Sequence, residues 1–193
     1  HASYLSSKSH TAARLVCWWI DQHVSGDAFA VTTAPTDPQV RAILWREIAR
    51  AHLAGRLRGR VLQREWKVRT RLAAEDELVA IGRKPADYDP TALQGNHERY
   101  VLGVIDEAAG VPKVLWDAID SLTGNDDSRV LAIGNPDDER SYFAQVCDGT
   151  IPGWNVIHID GLATPNFTGE PVPDRVRRLL LSPTYVEEKR VEW

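Results

Sequence analysis

Residues 101–108 read Val-Leu-Gly-Val-Ile-Asp-Glu-Ala, an apolar run that ends in two acids. Together with Tyr100, this run is typical of a parallel strand that helices bury on both faces. Acids that follow such a strand lie at the carboxyl edge of the sheet, where α/β proteins bind ligands. Asp106 can hold magnesium through water, while Glu107 orients or deprotonates a water that attacks a phosphoanhydride. The stretch leaves open an alternative in which Asp106 caps the next helix and Glu107 complements its dipole.

Helices and strands alternate on either side of this strand. The spacing of apolar residues and the turn signals predict helices over 9–23, 40–53, 112–122, 139–147, 174–181 and 184–190. They predict strands over 28–34, 60–69, 77–81, 100–105, 129–133 and 154–159. Such alternation favours an α/β domain with a mainly parallel sheet.

Composition limits the possible classes of protein. The chain has 193 residues, 43% hydrophobic and 26% charged, which suits one packed domain and excludes a disordered segment. No apolar run approaches the roughly 20 residues that cross a bilayer, so we expect no membrane span. The two cysteines and six histidines lack the spacing of a disulfide framework or a metal site, and a reducing cytoplasm fits best. A formal net charge of -4 excludes a surface that is basic throughout.

The segment before the first helix has the frame of a phosphate-binding loop. Residues 2–9 read Ala-Ser-Tyr-Leu-Ser-Ser-Lys-Ser. In such a loop, backbone N–H groups face phosphate oxygens, a lysine contacts the terminal phosphates and the next hydroxyl binds magnesium. Lys8 and Ser9 have this chemistry, although Ala2 and Ser7 stand where glycines are expected. Taken alone, Ser-Lys-Ser is more typical of an ordinary capped helix; together with the two acids after the buried strand, it favours a nucleotide site.

A third stretch, residues 130–136, reads Val-Leu-Ala-Ile-Gly-Asn-Pro and is again a buried strand that ends in small and polar residues. The Asn135 amide at this position can contact a γ-phosphate or its water and report whether the nucleotide is intact. The alternative is a plain turn, because Gly-Asn-Pro is strong turn chemistry, and this stretch by itself favours the turn.

These motifs, in this order, resemble the ATPase portion of the bacteriophage or prophage large terminase subunit, the motor that pumps viral DNA into a procapsid. Several motifs in the correct order are more specific than any one of them. Residues 7–14 resemble the Walker A segment, and residues 33–36 with Gln39 resemble the motif that follows it. Residues 93–95 with His97, followed by residues 104–108, resemble the approach to Walker B and Walker B itself. Residues 132–136 resemble the coupling motif, and residues 164–167 and 182–186 resemble stretches beyond it.

The resemblance implies a three-layer α/β fold of the P-loop NTPase type (ASCE, RecA-like) and an ATPase that uses ATP and Mg²⁺. It also implies residue roles: phosphate binding by Ser6, Ser7, Lys8, Ser9 and His10, Mg²⁺ binding by Ser9 and Asp106, water activation by Glu107, and coupling of hydrolysis to movement by Asn135. The implied partners are double-stranded DNA, the portal protein, the small terminase subunit and further copies in a homo-oligomeric ring, in the host cytoplasm.

The sequence contains no methionine and opens at the loop itself, so we expect residues 1–193 to be a fragment of a large-terminase ATPase domain. We expect the strand before the phosphate loop, the adenine-contacting segment and the C-terminal nuclease domain to fall outside it. A piece lacking these parts should be a poor enzyme.

Two other functions stay open at this point. A helicase-like DNA-dependent ATPase shares the nucleotide motifs and the DNA, but unwinds or remodels instead of packaging. A non-catalytic prophage remnant keeps the fold while its altered loop no longer binds ATP.

Basic residues are concentrated between positions 56 and 71, where seven arginines and lysines stand against one glutamate. A basic strand pair of this kind can follow a phosphate backbone, but the alternation of arginine with apolar residues is also that of a solvated strand face, which we favour. In a ring motor, an arginine is also expected to reach a neighbour's nucleotide. Arg41, Arg83 and Arg99 are the candidates.

Overall fold

The computed structural model describes residues 8–23, 26–69, 75–83 and 98–192. The strands in this part of the chain are β1 (Ala28–Thr33), β2 (Arg60–Leu62), β3 (Glu65–Arg69), β4 (Asp76–Arg83), β5 (Tyr100–Asp106) and β6 (Arg129–Ile133). The α-helices are α1 (Lys8–Gln22), α2 (Trp45–Gly55), α3 (Lys113–Leu122), α4 (Tyr142–Cys147), α5 (Pro165–Thr168), α6 (Asp174–Arg177) and α7 (Pro183–Glu192). A π-helical segment, Gln39–Leu44, leads into α2, and 3-10 turns lie at Ala108–Gly110 and Gly161–Ala163.

One six-stranded sheet has the order β2-β3-β4-β1-β5-β6. Strands β4, β1, β5 and β6 run parallel, while β2 and β3 form an antiparallel hairpin at one edge. All six residues of β1 are buried, as expected for a strand covered on both faces. The carboxyl ends of β1, β4, β5 and β6 therefore meet along one edge of the sheet.

Helices cover both faces of this sheet, which confirms the three-layer α/β prediction. On one face, Val16 of α1 and Ile48 of α2 pack against the strands, and the Trp45 indole N–H donates to Thr32 Oγ1 at 2.9 Å. On the other face, Trp116 and other apolar residues of α3 pack with Phe29 of β1. None of the helices in the described residues combines the length and apolar character that crossing a membrane requires.

The predicted strand over residues 154–159 is wrong. This segment has no regular secondary structure, and the Ile157 side chain is 78% exposed and that of Ile159 53% exposed. Apolar and β-branched residues favour an extended backbone, but a strand also needs a neighbour with which to pair, and none of the described strands pairs with this segment.

Other elements differ from prediction in their boundaries. The predicted strand over 60–69 is two strands, because Gln63 adopts a left-handed backbone (φ 50°) and turns the chain. The helix predicted over 139–147 begins only at Tyr142, since the Ser141 side chain caps it by accepting from the Ala144 N–H. The helix predicted over 174–181 ends at Arg177, whose carbonyl accepts from the Asn166 side chain.

Candidate functional site

The start of α1 meets the carboxyl end of β5 through a side-chain hydrogen bond. Ser9 Oγ donates to Asp106 Oδ2 at 2.8 Å, although the two residues lie 97 positions apart. Asp106 is 1% exposed and is the last residue of its strand. The structure thus brings together the lysine-serine pair and the acidic pair that the sequence analysis singled out.

The end of β6 adds a third group to the same place. The Lys8 ammonium donates to Asn135 Oδ1 at 3.5 Å, a long contact that links α1 to the residue after Gly134. Strand β6 pairs with β5 so that Ile133 lies opposite Asp106. This register puts the two strand ends side by side and places the Asn135 amide beside the lysine.

Glu107 has an unusual backbone conformation for a residue with a side chain. Its φ of 49° and ψ of 50° lie in the left-handed region. The Glu107 N–H donates to Asp106 Oδ1 at 3.0 Å, and the Glu107 carbonyl accepts from the Gly110 N–H at 3.1 Å. The first carboxylate of the acidic pair therefore helps to fix the backbone of the second.

Negative charge exceeds positive charge around this site. Burial raises the pKa of Asp106 above its ordinary value, against the hydrogen bonds from Ser9 and the Glu107 N–H and the charge of Lys8. Burial also raises the pKa of Glu107; the charges of Asp106 and Asp137 act in the same direction, and Lys8 opposes them. A site in which one lysine faces several acids favours an added cation.

The oxygen atoms of Ser9 and Asp106 suit magnesium. Mg²⁺ takes hard oxygen ligands and usually binds through one or two protein groups, with waters and substrate phosphates completing its shell. The described residues include no group of three or more His, Cys, Asp or Glu side chains that could hold a metal ion. The Ser9 hydroxyl and the Asp106 carboxylate, which lie 2.8 Å apart, are both ligands of this hard-oxygen kind.

The other residues predicted to bind phosphate are His10, Ser6 and Ser7. His10 Nδ1 lies 3.3 Å from Glu47 Oε2 on α2, so its side chain is directed toward that helix. Ser6 and Ser7 lie outside the described residues, as do residues 93–95 and His97 of the predicted approach to Walker B.

The basic hairpin β2–β3 is balanced by acids. Arg60 Nη2 lies 3.2 Å from Asp76 Oδ2, and Arg64 Nη1 lies 3.1 Å from Asp37 Oδ1. Arginines that are paired within the chain agree with the solvated-face interpretation of this stretch.

The three arginine candidates lie at different places. Arg83 ends β4 at the carboxyl edge of the sheet. Arg99 precedes β5 at the opposite edge, where its Nε lies 2.8 Å from Asp127 Oδ2. Arg41 Nη1 lies 3.6 Å from Asp37 Oδ2.

Sequence reasoning missed two residues at this site, Asp137 and Gly134. Asp137 follows a predicted turn and carries no motif, so only its nearness to Glu107 reveals it. Gly134 was part of the turn signal, but its close packing against residues 107 and 108 is visible only in three dimensions.

The described residues form a mainly parallel sheet with helices on both faces, in which a lysine-serine helix start faces an acidic strand end. Among solved structures, the chain is similar to the large terminase ATPase domain of Thermus phage P74-26, with a TM-score of 0.53 and 22% sequence identity over 84% of this chain and 66% of that chain. An arginine-to-alanine mutant of that domain matches with a TM-score of 0.52 and 23% identity over 84% of this chain and 67% of the other.

This similarity confirms, at the level of fold, the terminase resemblance predicted from the sequence. The chain spans just under two thirds of the length of the first of these structures, at 66%. No protein-family model matches the sequence, and no curated protein matches it significantly.

Proposed function

We propose that the chain is the ATP-hydrolysing motor domain of a phage DNA-packaging terminase and drives double-stranded DNA into a procapsid. The observation that carries this proposal is the 2.8 Å hydrogen bond between Ser9 at the start of α1 and Asp106 at the end of β5. This bond links residues 97 positions apart, to which the proposal assigns the two halves of a triphosphate site. The fold similarity to a phage terminase ATPase domain supports the choice of motor.

Each side chain at the site has a separate task in this proposal. Lys8 and the backbone N–H groups from Ser6 to His10 hold the β- and γ-phosphates. Glu107 accepts a proton from the attacking water while the water oxygen bonds to the γ-phosphorus and the bond to the bridging oxygen breaks, which releases ADP. Asn135, which contacts Lys8, reports the loss of the γ-phosphate to β6.

Ser9 and Asp106 would hold the magnesium ion, which offsets phosphate charge when it is bound. The Ser9 hydroxyl can keep its donated hydrogen bond to Asp106 and still offer a lone pair to the ion.

The partners and setting follow from the motor role and are part of the proposal. They are double-stranded DNA, a portal protein, the small terminase subunit and further copies of the chain in a ring, in the host cytoplasm. We also propose that residues 1–193 are the ATPase part of a longer protein that carries a nuclease domain.

The decisive experiment replaces Glu107 by glutamine in the full-length protein. We expect nucleotide affinity to stay within about twofold, while the rate of ATP hydrolysis falls about 10²–10⁴-fold, as is usual when a general base is removed. Glu139→Gln is the control, because it makes the same chemical change at an exposed glutamate to which the proposal assigns no role. Retained turnover in Glu107→Gln would contradict the role assigned to Glu107.

Two further measurements separate this function from its rivals. Packaging of duplex DNA into procapsids supports a terminase, whereas separation of the strands of a duplex would assign the chain to helicase-like enzymes. Thermal melting of the full-length protein with Mg²⁺ and ATP tests for a remnant, since absence of stabilisation at millimolar nucleotide means that the loop no longer binds.

A further inference from the structure

We propose that Gly134 is a positioning residue for Glu107: its lack of a side chain lets the end of β6 pack directly against the peptide bond that follows the proposed catalytic base. The inference deepens the proposed function and rests on it. It concerns a backbone contact within this chain, so it can also be tested without nucleotide.

The backbone of Glu107 needs support from its surroundings. A left-handed conformation costs a residue with a side chain roughly 1–2 kcal/mol. Glu107 is one of three described non-glycine residues with positive φ, with Arg56 and Gln63, and the other two lie in turns away from the site. Two hydrogen bonds hold it, one to Asp106 and one from Gly110.

Gly134 packs against the Glu107–Ala108 peptide from the side of β6. A Cβ atom added to Gly134 would lie 2.9 Å from the Ala108 backbone nitrogen and 3.5 Å from the Glu107 carbonyl carbon. Cβ atoms essentially never lie within 3.0 Å of another heavy atom, and a backbone atom cannot turn aside as a flexible side chain can. Gly134 is not among the glycines with positive φ, so its own backbone does not require glycine. Close approach is the reason for glycine at this position.

The surroundings of Gly134 leave little room for a side chain. The same added atom would also lie 3.3 Å from Phe143 Cε1, and Phe143 is 7% exposed in the core, so the space beside the peptide is closed by a packed ring. The preceding residue, Ile133, is fixed in register opposite Asp106. The shortest contact of an added methyl group is with the Ala108 nitrogen, so we expect it to displace the Glu107–Ala108 peptide.

This packing places Gly134 between two groups of the site. The next residue, Asn135, accepts from the Lys8 ammonium, and the peptide on the other side belongs to Glu107. A shift of Asn135 along β6 reaches the Glu107 backbone through this contact, without a flexible side chain in between.

The activity test compares Gly134→Ala with Gly103→Ala in the full-length protein. A methyl group at Gly103 would meet Ile119 Cγ2 on α3, so this control adds the same atom to the core and avoids the site. We expect Gly134→Ala to lower kcat about 10²-fold with KM within about twofold, since a misplacement of about 1 Å at a reacting group has this effect. Gly103→Ala should lower Tm but keep kcat per folded molecule. Equal kcat values in the two variants would overturn the inference.

A thermal-melting cycle without nucleotide tests the contact independently of hydrolysis. Glycine at position 107 adopts either sign of φ freely, so in the Glu107→Gly background the peptide can move away from an added methyl group. We expect Gly134→Ala to lower Tm much less in that background than in the wild type, or to fold only there. An equal loss of Tm in both backgrounds means that Phe143 alone feels the methyl group and overturns the inference. If wild-type protein fails to hydrolyse ATP, the proposed function fails while this cycle still decides the contact.

Discussion

Replacing Asp106 by asparagine is expected to stabilise the metal-free protein and to abolish its stabilisation by Mg²⁺ and ATP. The side chain is 1% exposed, and burial raises the pKa of this carboxyl group. An asparagine of the same shape still accepts from the Glu107 N–H through Oδ1, and its amide group donates to Ser9 Oγ in place of the bond that Ser9 now donates. The substitution removes a buried charge without leaving either partner unsatisfied.

The size of the effect follows from the balance of charge and hydrogen bonds. Replacement of a buried ion pair by apolar residues of similar volume is often neutral or stabilises by about 1–4 kcal/mol. An uncharged isostere of one buried carboxylate should gain only toward the lower end of that range, because it also loses the attraction of Lys8. Hydrogen bonds from Ser9 and Glu107 already stabilise the carboxylate, so we expect about 1 kcal/mol, or a Tm rise of about 2–4 °C for a chain of this size. Wild-type protein at 100 times its Kd for the Mg²⁺ complex of ATP should gain about 2.7 kcal/mol on binding, which the variant loses.

The pH dependence has a definite sign. The folded-state pKa of Asp106 lies above its unfolded value, so the stabilising effect of the protonated carboxyl group is complete below the unfolded pKa and is lost as pH rises through the folded pKa. The variant's advantage in EDTA should therefore be largest near pH 7 and should shrink toward about pH 4, close to the unfolded pKa of an aspartate.

The assay is thermal melting at several pH values, first in EDTA and then with Mg²⁺ and ATP. Asp127→Asn is the control, because Asp127 is 43% exposed in a surface pair with Arg99 and should change stability by less than about 1 kcal/mol. Asp106→Ala, which leaves the Glu107 N–H and the Ser9 hydroxyl without this acceptor, should destabilise the protein. A lower metal-free Tm for Asp106→Asn, or an unchanged response to nucleotide, would refute the reasoning.

Three further predictions concern stability and reactivity. Trp45→Phe removes the indole N–H that donates to the buried Thr32 hydroxyl at 2.9 Å, and it should lower the free energy of unfolding, measured by urea denaturation, by about 1–3 kcal/mol. In a Thr32→Val background the same substitution should cost less, because the hydroxyl is already absent. Burial raises the pKa of Cys17 to about 12, so little of this thiol is ionised at pH 8. Thiol labelling of native protein at pH 8, followed by mass spectrometry, should therefore modify the half-buried Cys147 first. Faster labelling of Cys17 would contradict its burial. Gly59→Ala combines a left-handed φ of 81° with a clash against the β3 backbone and should cost more than about 1 kcal/mol, whereas an unchanged denaturation midpoint would argue against this hairpin geometry.

The parts of the fold that follow from local periodicity were predictable. Helix α1 was recognised by its apolar residues at positions 12, 16 and 20, and β5 by its continuous apolar run. Which strands pair with one another was harder to predict from the sequence than where helices and strands occur. The segment at 154–159 has strand-forming residues, but none of the described strands pairs with it. Gln63 adopts a left-handed backbone, which a glutamine in the sequence does not predict.

The candidate site likewise combines residues that the sequence identified with a contact that only the structure shows. Lys8, Ser9 and Asp106 were identifiable because the chemistry of phosphate binding restricts residue types at a helix start and at a strand end. The contact between Gly134 and the peptide after Glu107 depends on the distance between two strand ends, which the register of β5 and β6 sets. No composition or spacing rule gives that distance.

The separation of 97 positions between Ser9 and Asp106 has a consequence for biosynthesis. A ribosome adds about 5–20 residues per second, so helix α1 leaves it roughly 5–20 s before the strand end that Ser9 binds. Tyr100, whose carbonyl accepts a hydrogen bond from the Trp19 indole N–H at 3.1 Å, is also synthesised well after the helix. During that interval the apolar stripe of α1 lacks part of the surface that buries it in the folded domain, so this stripe stays partly exposed to solvent until β5 has been synthesised.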